Sequence, residues 1–232
     1  MSARRGFIYQ LAIDGGDDPD FVPPTAERVL VLSEDRWNET MKSSAIVPFY
    51  SRRADESQHA ALLQPPVDDD SYADCTLLQS LDDDDLGDLV EACDQEALDA
   101  VVRGVRAYLD IDALLTRKIK RPPARGRSTF WPRQGDVYRG RRFGTQRERY
   151  LIAADDEFNI RSERTAALFL TSRGKNWRSR WQVPVRGGFV ISGDIDQFAY
   201  VELDEQDRPN PGQFTRDEMA EVAAALVDVL EL

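Results

Sequence analysis

Apolar residues along this chain fall in short runs bounded by polar turns, and helical spacing appears only near the end of each half. Val29-Leu30-Val31-Leu32 and Tyr150-Leu151-Ile152-Ala153 are two such runs, too short for helices and rich in strand-forming residues. The pattern predicts strands at 7–13, 29–33 and 45–50, and again at 137–141, 150–154 and 166–171. Further strands are expected near 75–78, 182–185 and 189–191, and turns through Asn38 and Asn159. Arg186-Gly187-Gly188 reads as a hairpin turn. Leu98, Val101, Val105 and Leu109 share one helical face, as do Met219, Val222, Leu226 and Leu230. Asp94 opens the first of these helices. Thr215-Arg216-Asp217-Glu218 is a capping box for the second, with side chains placed to satisfy the free amides of the first turn.

The two halves repeat each other. At an offset of 121 residues, Glu27-Arg28-Val29-Leu30-Val31 falls on Glu148-Arg149-Tyr150-Leu151-Ile152, and Asn38 falls on Asn159. The same offset carries 44–52 onto 165–173, Asp94 onto Thr215 and one helical stripe onto the other. Gly6-Phe7-Ile8-Tyr9 matches Gly135-Asp136-Val137-Tyr138 at a longer offset of 129, so the loop after the first strand differs in length. Short strands followed by a helix, present twice, predict a mainly β α+β fold of two small barrel-like units. The expected domains are 1–115 and 134–232. A basic linker with paired prolines, 116–133, separates them.

Charge changes the picture by distinguishing the halves. Residues 1–116 hold 9 Lys and Arg against 25 Asp and Glu, a net −16; residues 117–232 hold 21 against 17, a net +4. Within 117–186 the balance is 19 basic to 6 acidic, or +13, which suits a surface that meets a polyanion. Asp68-Asp69-Asp70 and Asp82-Asp83-Asp84-Asp85 lack the alternating ligands of a calcium loop and read as solvated segments. With two cysteines and one histidine, His59, neither a disulfide framework nor a histidine-rich metal site is expected, and no cofactor is implied. No apolar stretch approaches the roughly 18 residues of a membrane span, and the N-terminus lacks an apolar signal core. A cytoplasmic protein with reduced thiols is the expectation.

The strand openings Arg5-Gly6-Phe7-Ile8-Tyr9 and Gln134-Gly135-Asp136-Val137-Tyr138, the paired apolar strands each followed by an Asn, the third strands and the terminal helices resemble the MazF/PemK toxin family. The resemblance implies two SH3-like barrels fused in tandem as a covalent pseudo-dimer. It also implies metal-independent cleavage of single-stranded RNA, by attack of a 2′-hydroxyl on the adjacent phosphate, and an acidic antitoxin peptide or protein as partner. The family's arginine precedes a proline at the start of the second strand. Here Glu27 and Glu148 hold the arginine position, and Arg28 and Arg149 hold the proline position.

Ser51 and Ser172 stand where the family has a threonine, each followed by an arginine, Arg52 or Arg173. Candidate catalytic residues are therefore Arg149 or Arg173 to stabilise the phosphorane, Ser172 to contact the phosphate and Glu148 as base, with Arg28 and Ser51 as first-half counterparts. Arg139, Arg141, Arg142, Phe143 and Arg147 combine phosphate-binding charge with a ring for base stacking, as do Arg178 and Arg180 between Trp177 and Trp181. Trp181 reads equally as core. The departures at Glu27 and Glu148 leave open a non-catalytic module that binds an antitoxin or another partner. The related CcdB proteins, which share the fold but act on DNA gyrase, leave a gyrase-directed role open as well.

Overall fold

The computed structural model describes residues 2–12, 26–51, 62–116, 132–141, 147–162, 164–172, 181–185, 187–200, 203 and 214–232, with Arg141 and Arg147 described by backbone alone. Two compact units are present: unit 1 is Met1–Tyr108 with Val227–Leu232, and unit 2 is Leu109–Leu226. Most of the expected linker, 117–131, lies outside the described residues. No described helix is long and apolar enough to cross a membrane.

Unit 1 contains β1 (Phe7–Leu11), β2 (Arg28–Val31), α1 (Asp35–Met41), β3 (Ser43–Tyr50), β4 (Tyr72–Ala73), β5 (Gln79–Asp82), β6 (Leu86–Ala92) and α2 (Gln95–Tyr108). Its antiparallel sheet runs β4-β3-β2-β1-β6, with β5 also paired to β3. Unit 2 contains α3 (Ile111–Leu115), β7 (Val137–Arg141), β8 (Arg147–Ile152), α4 (Asp156–Arg161), β9 (Arg164–Thr171), β10 (Gln182–Val185), β11 (Gly188–Ala199) and most of α5 (Arg216–Leu230). Its antiparallel sheet runs β10-β11-β9-β8-β7. The α+β, mainly β class is as expected. Among the described residues, however, each sheet is an open run of strands and not a closed barrel, because β6 pairs only with β1 and β7 only with β8.

The 121-residue offset reappears in the elements. Ser43–Tyr50 corresponds to Arg164–Thr171, and Asp35 and Gln95 open α1 and α2 as Asp156 and Arg216 open α4 and α5. Each predicted turn through an Asn is instead a short helix; seven and six residues are too few to display an apolar stripe in the sequence. The strand expected at 75–78 is also replaced, by a 3-10 turn over Cys75–Leu77 between β4 and β5. The Asp74 carboxylate accepts the Thr76 amide at 3.0 Å and starts that turn.

Val29 to Leu32 are wholly buried, as their uninterrupted apolar run requires of a strand covered on both faces. Val29, Val31, Ile46, Leu81 and Ala3 form one cluster of the unit 1 core. In unit 2, Tyr138, Tyr150, Ile152, Ala167, Phe198 and Leu203 cluster, with the Tyr150 ring edge-on to Phe198 at 4.6 Å. The capping box forms as read: the Thr215 amide donates to Glu218 Oε2 at 2.7 Å and the Glu218 amide to Thr215 Oγ1 at 3.1 Å.

Equivalent positions hold the helix ends. In unit 1 the Arg5 guanidinium donates to the carbonyls of Leu32, Leu230 (2.6 Å) and Glu231 (3.0 Å), and pairs with the Glu231 carboxylate at 2.8 Å. A cation there satisfies terminal helix carbonyls and complements the helix dipole. In unit 2 the Gln134 amide donates to the carbonyls of Leu109 (2.8 Å) and Ala153 (2.9 Å), the repeat counterparts of Leu230 and Leu32.

The buried asparagines differ in their partners. Asn38 Nδ2 donates to the carbonyls of Ala3 and Ser33, both at 3.1 Å, and its Oδ1 accepts the Ser33 hydroxyl at 2.5 Å. Asn159 Nδ2 donates to the Ala154 carbonyl at 2.9 Å, but alanine replaces the serine and Oδ1 is left buried without a donor among the described residues. Ala154→Ser is therefore expected to stabilise the protein by about 1 kcal/mol, the net worth of a buried hydrogen bond, read as a higher midpoint in chemical denaturation. An unchanged midpoint would show that the new hydroxyl does not reach Oδ1.

Candidate nucleic-acid interface

In unit 2, Arg139 on β7 stands directly opposite Arg149 on β8, and the next pair along the ladder is Gly140 and Glu148, followed by Arg141 and Arg147. Directly paired residues share a sheet face, so Arg139 and Arg149 put two cations side by side where a ladder ordinarily avoids like charges. Arg149 also pairs in register with Leu170 on β9, and its Nη1 donates to the Gly187 carbonyl at 3.2 Å. Gly187 is in the turn between β10 and β11, where Val185 pairs with Gly188. That two-residue turn is the hairpin expected at 186–188, and Gly187 has φ +85, a conformation glycine adopts without strain.

Gly188 packs so closely on the end of β9 that a Cβ would lie 2.1 Å from the Thr171 carbonyl and 3.3 Å from Ser172 Cα. One glycine turn thus touches both the Arg149 guanidinium and the backbone that carries Ser172. Ser172 is exposed at the end of β9.

Unit 1 places the same elements together with different chemistry. Arg28 on β2 pairs with Gln10, so the second cation is missing. Its guanidinium lies over the Phe49 ring, 5.9 Å from the centroid, and donates to the Asp68 carboxylate at 3.1 Å. Asp68 is in the loop between Pro66 and Tyr72, which form a bridge, and Tyr72 pairs with Tyr50. In unit 2, Phe189 pairs with both Pro184 and Thr171, and Thr171 is the counterpart of Tyr50. The acidic loop 67–71 of unit 1 therefore occupies the topological place of the Gly187 turn of unit 2. Burial by itself raises the Asp68 carboxyl, but the Ser71 side chain, then the Asp70 amide at 2.9 Å and the adjacent Arg28 charge, hold it below its usual value, so it is ionised at neutral pH.

Residues 4–109 match the family described as PemK-like, MazF-like toxin of type II toxin-antitoxin system. Residues 4–109 are a PemK/MazF-like toxin domain. Solved structures with similar folds include an endoribonuclease in complex with its cognate antitoxin from a Mycobacterial species, 24% identical, with a TM-score of 0.38, over 44% of this chain and 96% of that one. A MazE-MazF structure from Deinococcus radiodurans is 19% identical, with a TM-score of 0.37, over 44% of this chain and 99% of that one. No curated protein sequence matches the chain.

The PemK/MazF-like domain carries Arg28 and Ser51 from the candidate set, and Ser51 is exposed one residue beyond β3. Unit 2 carries Arg139, Glu148, Arg149 and Ser172. Glu148 does not join Arg149: the two leave opposite faces of β8, and Glu148 Oε2 accepts the hydroxyl of buried Tyr150 at 3.3 Å. Arg52, Arg142, Phe143, Arg173, Trp177, Arg178 and Arg180 lie outside the described residues. Trp181 is core, as one of its two readings held, and its carbonyl accepts the Ser192 hydroxyl at 3.3 Å.

Three participants escaped the sequence reading. Gln10 carries no charge to attract notice, Gly187 was read only as a turn, and Asp68 was read only as solvated. Pro66 and Pro184 correspond across the repeat, but at an offset of 118 that departs from the 121 of the flanking strands and hides the Asp68 loop. Neither free thiol is a nucleophile at neutral pH. Burial pushes Cys75 well up and raises Cys93 to about 11. Among the described residues no group of His, Cys, Asp and Glu could hold a metal ion.

Proposed function

We propose that this chain is a toxin of a toxin-antitoxin pair that binds single-stranded RNA through unit 2 and cleaves it there, the two units being tandem copies of one fold. The observation that carries this reading is the pair Arg139 and Arg149 facing each other across β7 and β8, with the only recorded partner of Arg149 among the described residues being the Gly187 carbonyl. Two adjacent guanidiniums can grip consecutive phosphates, and the one nearer Ser172 can stabilise charge that develops on phosphorus. In the proposed step the 2′-oxygen bonds to phosphorus and loses its proton while the 5′-oxygen departs and gains one. The products are a cyclic phosphate and a 5′-hydroxyl end. An acidic antitoxin segment would compete for the same cationic face.

A second reading is favoured by the position of Glu148. With that carboxylate on the other face, the described residues place no base beside Arg149, as in a module that binds RNA or an antitoxin without cutting. Incubation of the purified chain with long single-stranded RNA in EDTA, followed by mapping of the ends, separates the two. Discrete cuts with 5′-hydroxyl ends establish the nuclease. Intact RNA that is nonetheless retained by the protein establishes the binding module, and intact, unbound RNA overturns both.

A further inference from the structure

Both units place an arginine at the same position of the second strand, yet among the described residues only one of these guanidiniums meets a carboxylate. Arg28 and Arg149 are related by the 121-residue offset, and each faces the residue that the register sets opposite it, Phe49 or Leu170. The hairpin tip beside each arginine differs. Unit 2 presents a turn whose Gly187 carbonyl accepts from Arg149, and unit 1 presents Val67-Asp68-Asp69-Asp70-Ser71 with the Asp68 carboxylate on Arg28. The acidic loop is held in shape by the Val67 amide on the Ser71 carbonyl at 3.0 Å and the Asp70 amide on Asp68 Oδ1 at 2.9 Å.

We infer that Arg28 is a second phosphate-binding site, kept closed by Asp68 acting as an internal stand-in for the phosphate. The phosphodiester of single-stranded RNA is the ligand class, so the inference rests on the RNA-directed reading of the Arg149 site. A carboxylate and a phosphodiester each offer a guanidinium two anionic oxygens, so they compete for the same donors. An exposed ion pair is weak in itself, but Asp68 is tethered within reach and its effective concentration far exceeds that of RNA. Asp69 and Asp70, the next two residues of the same loop, add negative charge that repels an incoming strand. The chain consequently offers RNA one open cationic site and one closed one, and the charge at the hairpin tip decides which is which.

The test uses full-length protein and a short 2′-O-methyl oligoribonucleotide, which binds but cannot be cut, with affinity measured by fluorescence anisotropy across a salt series. In an Arg149→Ala background, Asp68→Asn is expected to tighten binding about tenfold over Asp69→Asn, which removes the same charge without opening Arg28. The slope of log affinity against log salt is expected to steepen by about 0.7, one added phosphate contact for a single strand. Adding Arg28→Ala to the Asp68→Asn protein should abolish the gain. Equal affinity for the Asp68→Asn and Asp69→Asn proteins overturns the inference, and so does a gain that survives Arg28→Ala. Circular dichroism melts of each variant keep a folding defect from being read as lost binding. Comparing the wild-type chain with Arg149→Ala tests the open site separately, so the two readings can fail independently.

Discussion

Arg149→Ala is expected to slow RNA cleavage by about 10²–10³-fold, the usual cost of removing one preorganised donor from a developing anion. The effect should fall mainly on kcat, because Arg139, on the same sheet face, still attracts the RNA backbone. Arg28→Ala, which removes the equivalent residue of unit 1, should leave the rate within about twofold, since that guanidinium is already engaged by Asp68 and Phe49. Stopped time courses on a fluorogenic single-stranded substrate give both numbers. Equal losses from the two substitutions would mean that both units contribute to one reaction. Loss from Arg28→Ala alone would move the site to the PemK/MazF-like domain. Arg149→Lys is a useful companion: it keeps the charge but loses the fork that spans two oxygens, so only partial recovery is expected.

Gly188→Ala is expected to cost roughly 3 kcal/mol or more and to abolish cleavage along with folding of the hairpin. At φ +155 an L side chain is already strained, and its Cβ would lie 2.1 Å from the Thr171 carbonyl, a backbone atom that no rotamer change can move aside. Relief requires β11 to separate from β9 where Phe189 pairs with Thr171, next to Ser172. Gly187→Ala is the informative contrast. Its φ of +85 carries a penalty of about 1–2 kcal/mol, but the nearest atom to its Cβ is Arg149 Nη2 at 3.5 Å, an ordinary contact. Chemical denaturation should rank the two clearly. A Gly188→Ala protein as stable as wild type would show that β9 and β11 can part at this point without penalty.

The element plan was legible because it depends on local chemistry. Val29 to Leu32 and Tyr150 to Ile152 are apolar without interruption, and they are buried strands. Thr215 and Glu218 form the capping box their spacing implied, and the Asp94 carboxylate accepts the Glu96 amide at 2.8 Å at the start of α2. Residues 86–92 escaped notice because Asp88 and Glu91 interrupt the apolar pattern. They form β6, which among the described residues pairs on one side only and tolerates exposure as an edge strand does. The barrel expectation rested on the repeated short strands as well as on the resemblance, and strand runs do not reveal whether the first and last strands of a sheet meet.

By itself, the sequence determined the mainly β class, the repeated order of strands and helix, the acidic and basic halves and the arginines worth watching. Each of these is carried by residue type and spacing within a few neighbours. Which arginine faces another cation and which faces a carboxylate was decided only by the tertiary structure. Arg149 is ten residues from Arg139 and 38 from Gly187, and Arg28 is 40 from Asp68. Such meetings are set by strand register and hairpin length, where a shift of one residue turns every side chain to the other face. Glu148 makes the same point. It adjoins Arg149 in the chain, and the alternation of a strand places it against Tyr150 on the opposite side.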